Sequence, residues 1–403
     1  MKNKLNILIV HNYYQIKGGE DVVVNNEALM LKKRGHNVFF YERFNKEIVE
    51  YGMIKKIKLF LNTIFSIKTY KEIKNIIKKN NIDIVHVHNT LPLISSSVYW
   101  ASKKMNVPVI QTLHNYRFVC PNAILFRNDN ICEDCLNKNI LQALKYKCYR
   151  NSFIATLSII ITLLLNSFIK SYDKVNAYIL LTPFMKDKLH NFLDKKRVFI
   201  KPNFVPDEFI NKINEHIDGV SIKKDQSYCV YAGRLDKSKG ILMLIDMWEN
   251  IKDLNLYIFG DGPETSTIKE KIKDKTNIKY FGAVSQEILF RYIHYSLAVI
   301  FPSKWYECFP MIIVESLALK KIVIIYDNKN INNIIKNGFN GFIFKNSLEL
   351  RNILNFIKNN NEKYLKICEN AYNEYINKYN ENKNYDFLIN IYYKLMEENN
   401  GKI

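Results

Sequence analysis

The chain has 403 residues, 48% of them hydrophobic and 24% charged. That length exceeds one ordinary core and fits two domains of roughly 150–200 residues each, and the composition excludes disorder or a coiled coil as the main architecture. The formal net charge of +20 suits an anionic partner such as nucleic acid, anionic lipid or a phosphorylated substrate; the excess lies mostly in Lys beside abundant Asn, Ile and Tyr, a bias that an AT-rich genome also produces.

In chain order, Leu5–Val10 reads as a buried strand and Glu20–Arg34 as a helix stopped by Gly35. Asn37–Tyr41 is strand-like, and Lys55–Lys79 forms a long basic helix or a helix pair. Ile82–Val87, Val107–Leu113, Tyr178–Leu181 and Val198–Lys201 are further strands. The rhythm pauses over a polar linker at 203–226. It restarts with strands at Tyr228–Ala232, Asn255–Phe259, Ile278–Phe281, Ala298–Phe301 and Ile322–Tyr326, and a helical tail follows from Asn360 to Glu398. Strands alternating with helices imply βαβ units and parallel sheets covered on both faces. The class is α/β, in two halves.

Seven Cys is an odd number. The apolar stretch after Met1 is too short for a secretory signal, so a reducing cytosol without a disulfide framework is expected. Asn151–Ile169 carries no charge but several polar residues. It reads as a buried helix, a helix lying on a membrane surface, or a span.

Several loops carry chemistry. Gly233-Arg234-Leu235 and Lys239-Gly240 follow a strand, where open α/β sheets bind ligands and helix N-termini attract anions. Gly260-Asp261-Gly262-Pro263 permits close backbone approach. Glu307 lies in the loop after Ala298–Phe301. Glu315 sits in an apolar helical run, where a buried carboxylate needs partners such as vicinal hydroxyls. Pro310 suits the start of that helix, whose free amides would meet a phosphate. His86 and His88 point to one face of a strand, as metal ligands, cleft lining or core.

With Gly18-Gly19-Glu20, Arg34-Gly35-His36 and Thr112-Leu113-His114-Asn115 in the first half, and Glu307 and Glu315 separated by seven residues in the second, the ordered set resembles the retaining glycosyltransferases of family 4 over nearly the whole chain. The resemblance implies a GT-B fold: two Rossmann-like domains facing across a cleft, the C-terminal helix crossing back to the first domain. It implies an N-terminal acceptor domain at 1–203, a donor domain at 204–380 and the returning helix at 381–403. It also implies a nucleotide-diphosphate sugar as donor, with Arg234 and Lys239 on the diphosphate, Glu315 on the ribose and Glu307 on the sugar hydroxyls. Phe309, Pro310 and Met311 would meet sugar and phosphate through their backbone. Gly18 and Gly19 would let the diphosphate approach, and His114 would lie beside the donor sugar.

No two Asp are separated by a single residue. The Asp-x-Asp metal clamp is therefore missing, and fixed cations are expected to stabilise the leaving group without a metal cofactor. The expected function is metal-independent transfer of a hexose to a surface-polysaccharide or lipid-linked glycan, in the cytoplasm and peripherally at the inner face of the cell membrane. A nucleotide-sugar epimerase of the same fold and a basic nucleic-acid-binding protein are the alternatives. Finally, Cys120, Cys132, Cys135 and Cys148 cluster in an insert at about 115–150. A structural zinc, four thiols, or a disulfide would each explain them.

Overall fold

A computed structural model describes residues 4–15, 18–193, 196–210 and 228–401. Most of the expected linker, from residue 211 onward, lies outside the described residues. The chain forms two compact units. The first comprises Met1–Leu125, Glu133–Asn203 and Asn384–Ile403, and the second Phe126–Cys132 and Phe204–Lys383.

The first unit is built on β1 (Asn6–Tyr13), β2 (Asn37–Phe44), β3 (Ile84–Asn89), β4 (Val109–Leu113), β7 (Ala177–Leu180) and β8 (Val198–Ile200). A short hairpin, β5 (Phe126–Arg127) and β6 (Asn130–Ile131), intervenes in the chain. The six strands are all parallel in the order β2-β1-β3-β4-β7-β8. Both faces are covered, so the middle of β1 is a continuous apolar run and Ile7 to Val10 are fully buried. The helix Gly19–Lys33 follows β1 and ends as expected, with Gly35 in the left-handed region at φ +88°. The basic stretch resolves into a pair, Met53–Ile64 and Ile67–Asn80; Ser66 caps the second by accepting from the Thr69 amide at 3.1 Å. The last helix, Glu381–Asn400, packs against this unit: the Tyr385 hydroxyl lies 2.9 Å from His36 Nε2 and the Tyr392 hydroxyl 2.6 Å from His86 Nδ1.

The second unit holds β9 (Tyr228–Ala232), β10 (Asn255–Phe259), β11 (Ile278–Gly282), β12 (Ala298–Phe301), β13 (Val323–Tyr326) and β14 (Gly341–Phe344). These are again all parallel, in the order β11-β10-β9-β12-β13-β14. That is the Rossmann strand order. Trp248, Leu256, Ile258 and Ile300 are among the side chains filling its core. In both sheets the order reverses next to the first strand, between β1 and β3 and between β9 and β12. Those are the points outside whose carboxyl ends such sheets bind ligands.

The uncharged stretch after Arg150 resolves into a 16-residue helix, Phe153–Phe168. Its buried face is mixed, with Ile159, Ile160 and Leu163 beside polar groups, and its outer face is largely apolar. Thr156, Thr162 and Asn166 are buried, while Ile154 is 76% and Phe168 83% exposed. The polar groups are satisfied locally: Thr162 Oγ1 donates to Ser158 O at 2.8 Å, and Asn166 Nδ2 to Thr162 O at 2.9 Å. The helix Met53–Ile64 packs beside it and exposes Ile54, Ile57 and Leu61 among Lys55, Lys56 and Lys58. The stretch is therefore a helix buried along one face and exposed along the other. Among the described residues no helix is long and apolar enough to cross a membrane, which removes the span.

The loops after β9, β10 and β12 close on one another through glycines. Gly240 has φ +71°, and a Cβ there would lie 2.0 Å from the Pro302 carbonyl oxygen; one on Gly260 would lie 1.9 Å from that of Gly233. Gly35 is also left-handed, yet a Cβ there meets nothing within 4 Å. Gly240→Ala is expected to cost about 3 kcal/mol or more, from strain and overpacking together, and Gly35→Ala only about 1–2 kcal/mol. Denaturant melts of both variants check this: equal losses would show that the loops tolerate separation.

Candidate functional site

In the second unit the site grows from the switch point between β9 and β12. The chain leaves β9 at Gly233 and Arg234, and the Gly233 amide donates to Phe259 O at 3.1 Å. Arg234 is exposed. Asp236 turns the chain by accepting from the Ser238 amide at 2.9 Å, which presents Lys239. After β12 the loop brings in Glu307, only 7% exposed. Lys239 Nζ lies 2.5 Å from Glu307 Oε1, Ser303 Oγ donates to the same oxygen at 2.8 Å, and Trp305 Nε1 donates at 2.5 Å. Lys239 Nζ also lies 4.7 Å from the centre of the Trp305 ring. Every one of these contacts converges on Oε1. Among the described residues, Oε2 has no protein partner and remains an acceptor for a ligand hydroxyl.

Phe309 and Pro310 lead into the helix Met311–Ala318, and Pro310 at its N-cap supplies no side-chain cap for the first amides. Glu315 on this helix is half-buried rather than fully buried. Among the described residues it has no cationic partner, only Gln286 Nε2 donating at 3.2 Å. Burial pushes its carboxyl up to about 7, against the lowering effect of that hydrogen bond. A carboxylate this short of donors suits vicinal hydroxyls. The structure thus gathers Lys239 and Glu307, and places Arg234 and Glu315 on loops and a helix of the same sheet.

In the first unit, Gly18 caps the helix after β1, its amide donating to Asp21 Oδ2 at 2.9 Å. A Cβ on Gly18 or Gly19 would meet nothing within 4 Å, so the fold itself does not require glycine here. A pocket opens beyond the carboxyl ends of β3 and β4, lined by Tyr14, His88, His114, Asn115, Arg117 and Tyr149 among others. His114 Nε2 lies 2.9 Å from His88 Nδ1, the two rings stacked with centroids 5.2 Å apart. Burial, then the neighbouring His88, hold His114 well below the ordinary histidine range, so the ring is neutral. It can orient a hydroxyl but carries no charge to offer.

Behind the two histidines lies a group that the sequence reading missed. Glu27, 1% exposed, meets the Lys201 ammonium, 2% exposed, at 2.9 Å. His86 Nδ1 approaches Glu27 Oε1 at 3.0 Å and His88 Nε2 approaches it at 3.5 Å. Asn384 on the last helix also accepts from Lys201 at 2.9 Å. Burial alone would raise the Glu27 carboxyl, but Lys201 and His86 outweigh it and hold it well below the usual range. Glu27, His86 and His88 offer ligand atoms within 4.8 Å of one another. They do not fit a metal, because Lys201 already supplies the positive charge and a divalent ion would face its ammonium. The sequence signal available was a Glu inside the apolar face of a helix and a Lys ending a strand.

The structure gives the zinc expectation no support. Glu27, His86 and His88 form the one grouping of three or more such side chains at metal-binding separation among the described residues, so the four Cys are not gathered to hold an ion. The insert orders itself by other means. Asn128 and Asp129, at φ 50° and 58°, make a tight hairpin turn, and Glu133 pairs with Lys188 at 2.5 Å. Cys120 is buried, its amide donating to Tyr116 O at 2.8 Å. Cys135 Sγ lies 3.9 Å from Ile140 O.

Burial, then the charge of His86, push the His88 imidazole down to about 3. Below an unfolded value of about 6.5 the unfolded chain takes up a proton that the folded chain refuses, so stability falls as pH drops from there toward 3. Thermal melts from pH 7.5 to 5 should show this fall, and His88→Gln should flatten it. An unchanged slope in His88→Gln would assign the pH dependence elsewhere.

Two family profiles match in tandem: Glycosyltransferase Family 4 over residues 17–209 and Glycosyl transferases group 1 over residues 212–374. An uncharacterized glycosyltransferase of Methanocaldococcus jannaschii is 23% identical over 374 residues, covering 91% of this chain and 92% of its own. The amylovoran biosynthesis glycosyltransferase AmsD of Erwinia amylovora is 29% identical over 165 residues, 39% of this chain and 45% of its own. Among solved structures, Anabaena HepE in complex with UDP-glucose superimposes with a TM-score of 0.62 at 14% identity, covering 98% of this chain and 99% of its own. Two Rossmann-like units, tandem profiles of the two halves and full-length relatives agree: this chain is a glycosyltransferase of the GT-B fold.

Proposed function

We propose that the enzyme transfers a hexosyl residue from a nucleoside-diphosphate sugar to a growing surface-polysaccharide or lipid-linked glycan, with retention and without a metal. The observation that carries this is Glu307, buried with Oε1 saturated by Lys239, Ser303 and Trp305 and Oε2 open. Oε2 would take the sugar hydroxyls, and Glu315 the ribose. Lys239, Arg234 and the uncapped start of Met311–Ala318 would hold the diphosphate as the anomeric C–O bond breaks and negative charge gathers on it. Phe309, Pro310 and Met311 would shape the backbone around sugar and phosphate. Gly18 and Gly19, which no packing demands, would leave room for diphosphate and acceptor, and neutral His114 would orient a sugar hydroxyl. Attack from the face where the diphosphate leaves, with a phosphate oxygen taking the acceptor's proton, needs no enzyme nucleophile. The UDP-glucose bound to HepE and the role named for AmsD support the donor and acceptor classes.

A thermal-shift screen over UDP, GDP, ADP and CMP tests the donor reading, since a ligand at 100 times its Kd adds about 2.7 kcal/mol of stability. With the donor so identified, Arg234→Ala or Lys239→Ala should slow transfer at least about a hundredfold, near 3 kcal/mol of leaving-group stabilisation. Glu307→Gln should mainly lower kcat, and EDTA should leave activity intact. Because the Glu315 carboxyl is pushed up to about 7, nucleotide affinity should rise as pH passes that value, and Glu315→Gln should abolish the rise. Near-wild-type turnover of the Arg234→Ala, Lys239→Ala double variant would refute the assignment.

The exposed apolar side chains of helix Phe153–Phe168 and its basic neighbour suit a peripheral membrane location. Apolar side chains would enter the lipid boundary, and each nearby Lys would add about 1 kcal/mol on an anionic surface. The protein should float with vesicles containing anionic lipid. Ile54→Ser, Ile57→Ser and Phe168→Ser combined should leave it in solution. Equal flotation of that triple variant would place the contact elsewhere.

A further inference from the structure

The pocket of the first unit is cationic in a way that donor binding does not explain. Its lining contains Arg117 and Arg150 and no Asp or Glu. The two guanidinium groups share one aromatic ring: Arg117 lies 5.0 Å and Arg150 5.5 Å from the centroid of Tyr149. Neither makes an ion pair among the described residues. Two like charges drawn to one ring repel each other, and an anion between them would relieve the repulsion. Glu20 accepts from the Tyr14 hydroxyl at 3.0 Å. Burial raises its carboxyl, against the lowering effects of His11, Tyr14 and Arg117.

The backbone is arranged to hold this pair. The Tyr149 amide donates to Thr156 Oγ1 at 3.0 Å, which ties the ring to the first turn of helix Phe153–Phe168. Arg150 and Asn151 follow with φ of 56° and 53°, two consecutive left-handed residues without glycine. Such a conformation costs on the order of 1–3 kcal/mol per residue and persists where the surroundings impose it. Arg117 is fixed from the other side, its amide donating to Asn115 Oδ1 at 3.0 Å and its Nη1 to Pro121 O. The planar guanidinium is suited to bidentate recognition of phosphate. His114 lines the same pocket, so an acceptor anchored at the arginines would lie against the ring that the proposed reaction uses.

What accompanies the anion is indicated by the neighbouring helix. Ile159 of Phe153–Phe168 lines the pocket, and the same helix exposes Ile154 and Phe168. An anion site bordered by an apolar face fits a phosphate ester on a hydrocarbon chain. We propose that Arg117, Tyr149 and Arg150 bind the phosphate or diphosphate of a lipid-linked acceptor, its lipid running out along the exposed face of helix Phe153–Phe168. This rests on the glycosyltransferase reading of the preceding section and assigns the acceptor class.

The test is calorimetric titration of the full-length protein with farnesyl diphosphate, inorganic diphosphate, farnesol and glucuronic acid, with UDP titrated in parallel. Farnesyl diphosphate should bind at least tenfold more tightly than each of the other three pocket probes. Arg150→Gln, an exposed position, and the Arg117→Gln, Arg150→Gln double variant should each lose at least tenfold of that affinity, while Arg234→Gln retains it. Equal binding of farnesol would overturn the anion assignment, and equal binding of inorganic diphosphate the lipid assignment. Tighter binding of glucuronic acid would make the pocket a carboxylate site and overturn the phosphate. Loss in Arg234→Gln instead of Arg150→Gln would show that the probe occupies the donor loops. Failure of the wild-type protein to bind UDP or any other nucleoside diphosphate would count against the donor reading, whichever way the farnesyl titration falls.

Discussion

The buried ion pair of Glu27 and Lys201 is the contact on which the first unit's site depends. It joins the helix after β1 to the end of β8, and through Asn384 to the last helix. Neither charge is in contact with water, so each is tolerable only because the other is there; removing one leaves an unpaired charge at a cost of about 3–5 kcal/mol. The pair also fixes what surrounds it. Glu27 faces both His86 and His88, His86 is held further by Tyr392 and Thr112, and His88 passes the order on to His114. A residue at the pocket is thus positioned by a chain of contacts that begins in a charge pair far along the sequence.

The second unit achieves the same end with backbone instead of charge. Gly240 against Pro302 and Gly260 against Gly233 let three loops approach to distances no side chain allows. Lys239 and Glu307, from different loops, can then meet at 2.5 Å. With one carboxylate oxygen saturated and the other open, the pair is a structural tie that leaves an acceptor unused. Glu315 is the opposite case, a carboxyl raised toward neutrality because it lacks such partners.

Helix Phe153–Phe168 shows how composition and packing answer different questions. The sequence gives a run of apolar residues with scattered Ser, Thr and Asn, compatible with core, surface or membrane. Helical backbone carbonyls absorb the hydroxyls and the amide one turn away, which lets Thr156, Thr162 and Asn166 turn inward beside Ile159, Ile160 and Leu163. Ile154 and Phe168 are then left outside.

The sequence by itself determined the two α/β halves, nearly every parallel strand and the loops that bear Arg234, Lys239, Glu307 and Glu315. Apolar runs between helical periods and glycines at loop turns are local signals, and strand ends locate ligand loops whatever the packing. Short or weakly apolar pieces escaped it: β14 was absent from the reading, and so was the hairpin of β5 and β6. Only the tertiary structure decided the Glu27–Lys201 pair, the face that helix Phe153–Phe168 turns outward and the meeting of Arg117 and Arg150 on Tyr149. Each of these depends on residues distant in sequence, or on which side of an element meets a neighbour. A close pair such as Cys132 and Cys135 suggests a metal by its spacing, but whether other thiols arrive at the same point is settled by the fold. Charge pairs obey the same rule, since Coulomb attraction acts through space and sequence separation leaves no trace of it.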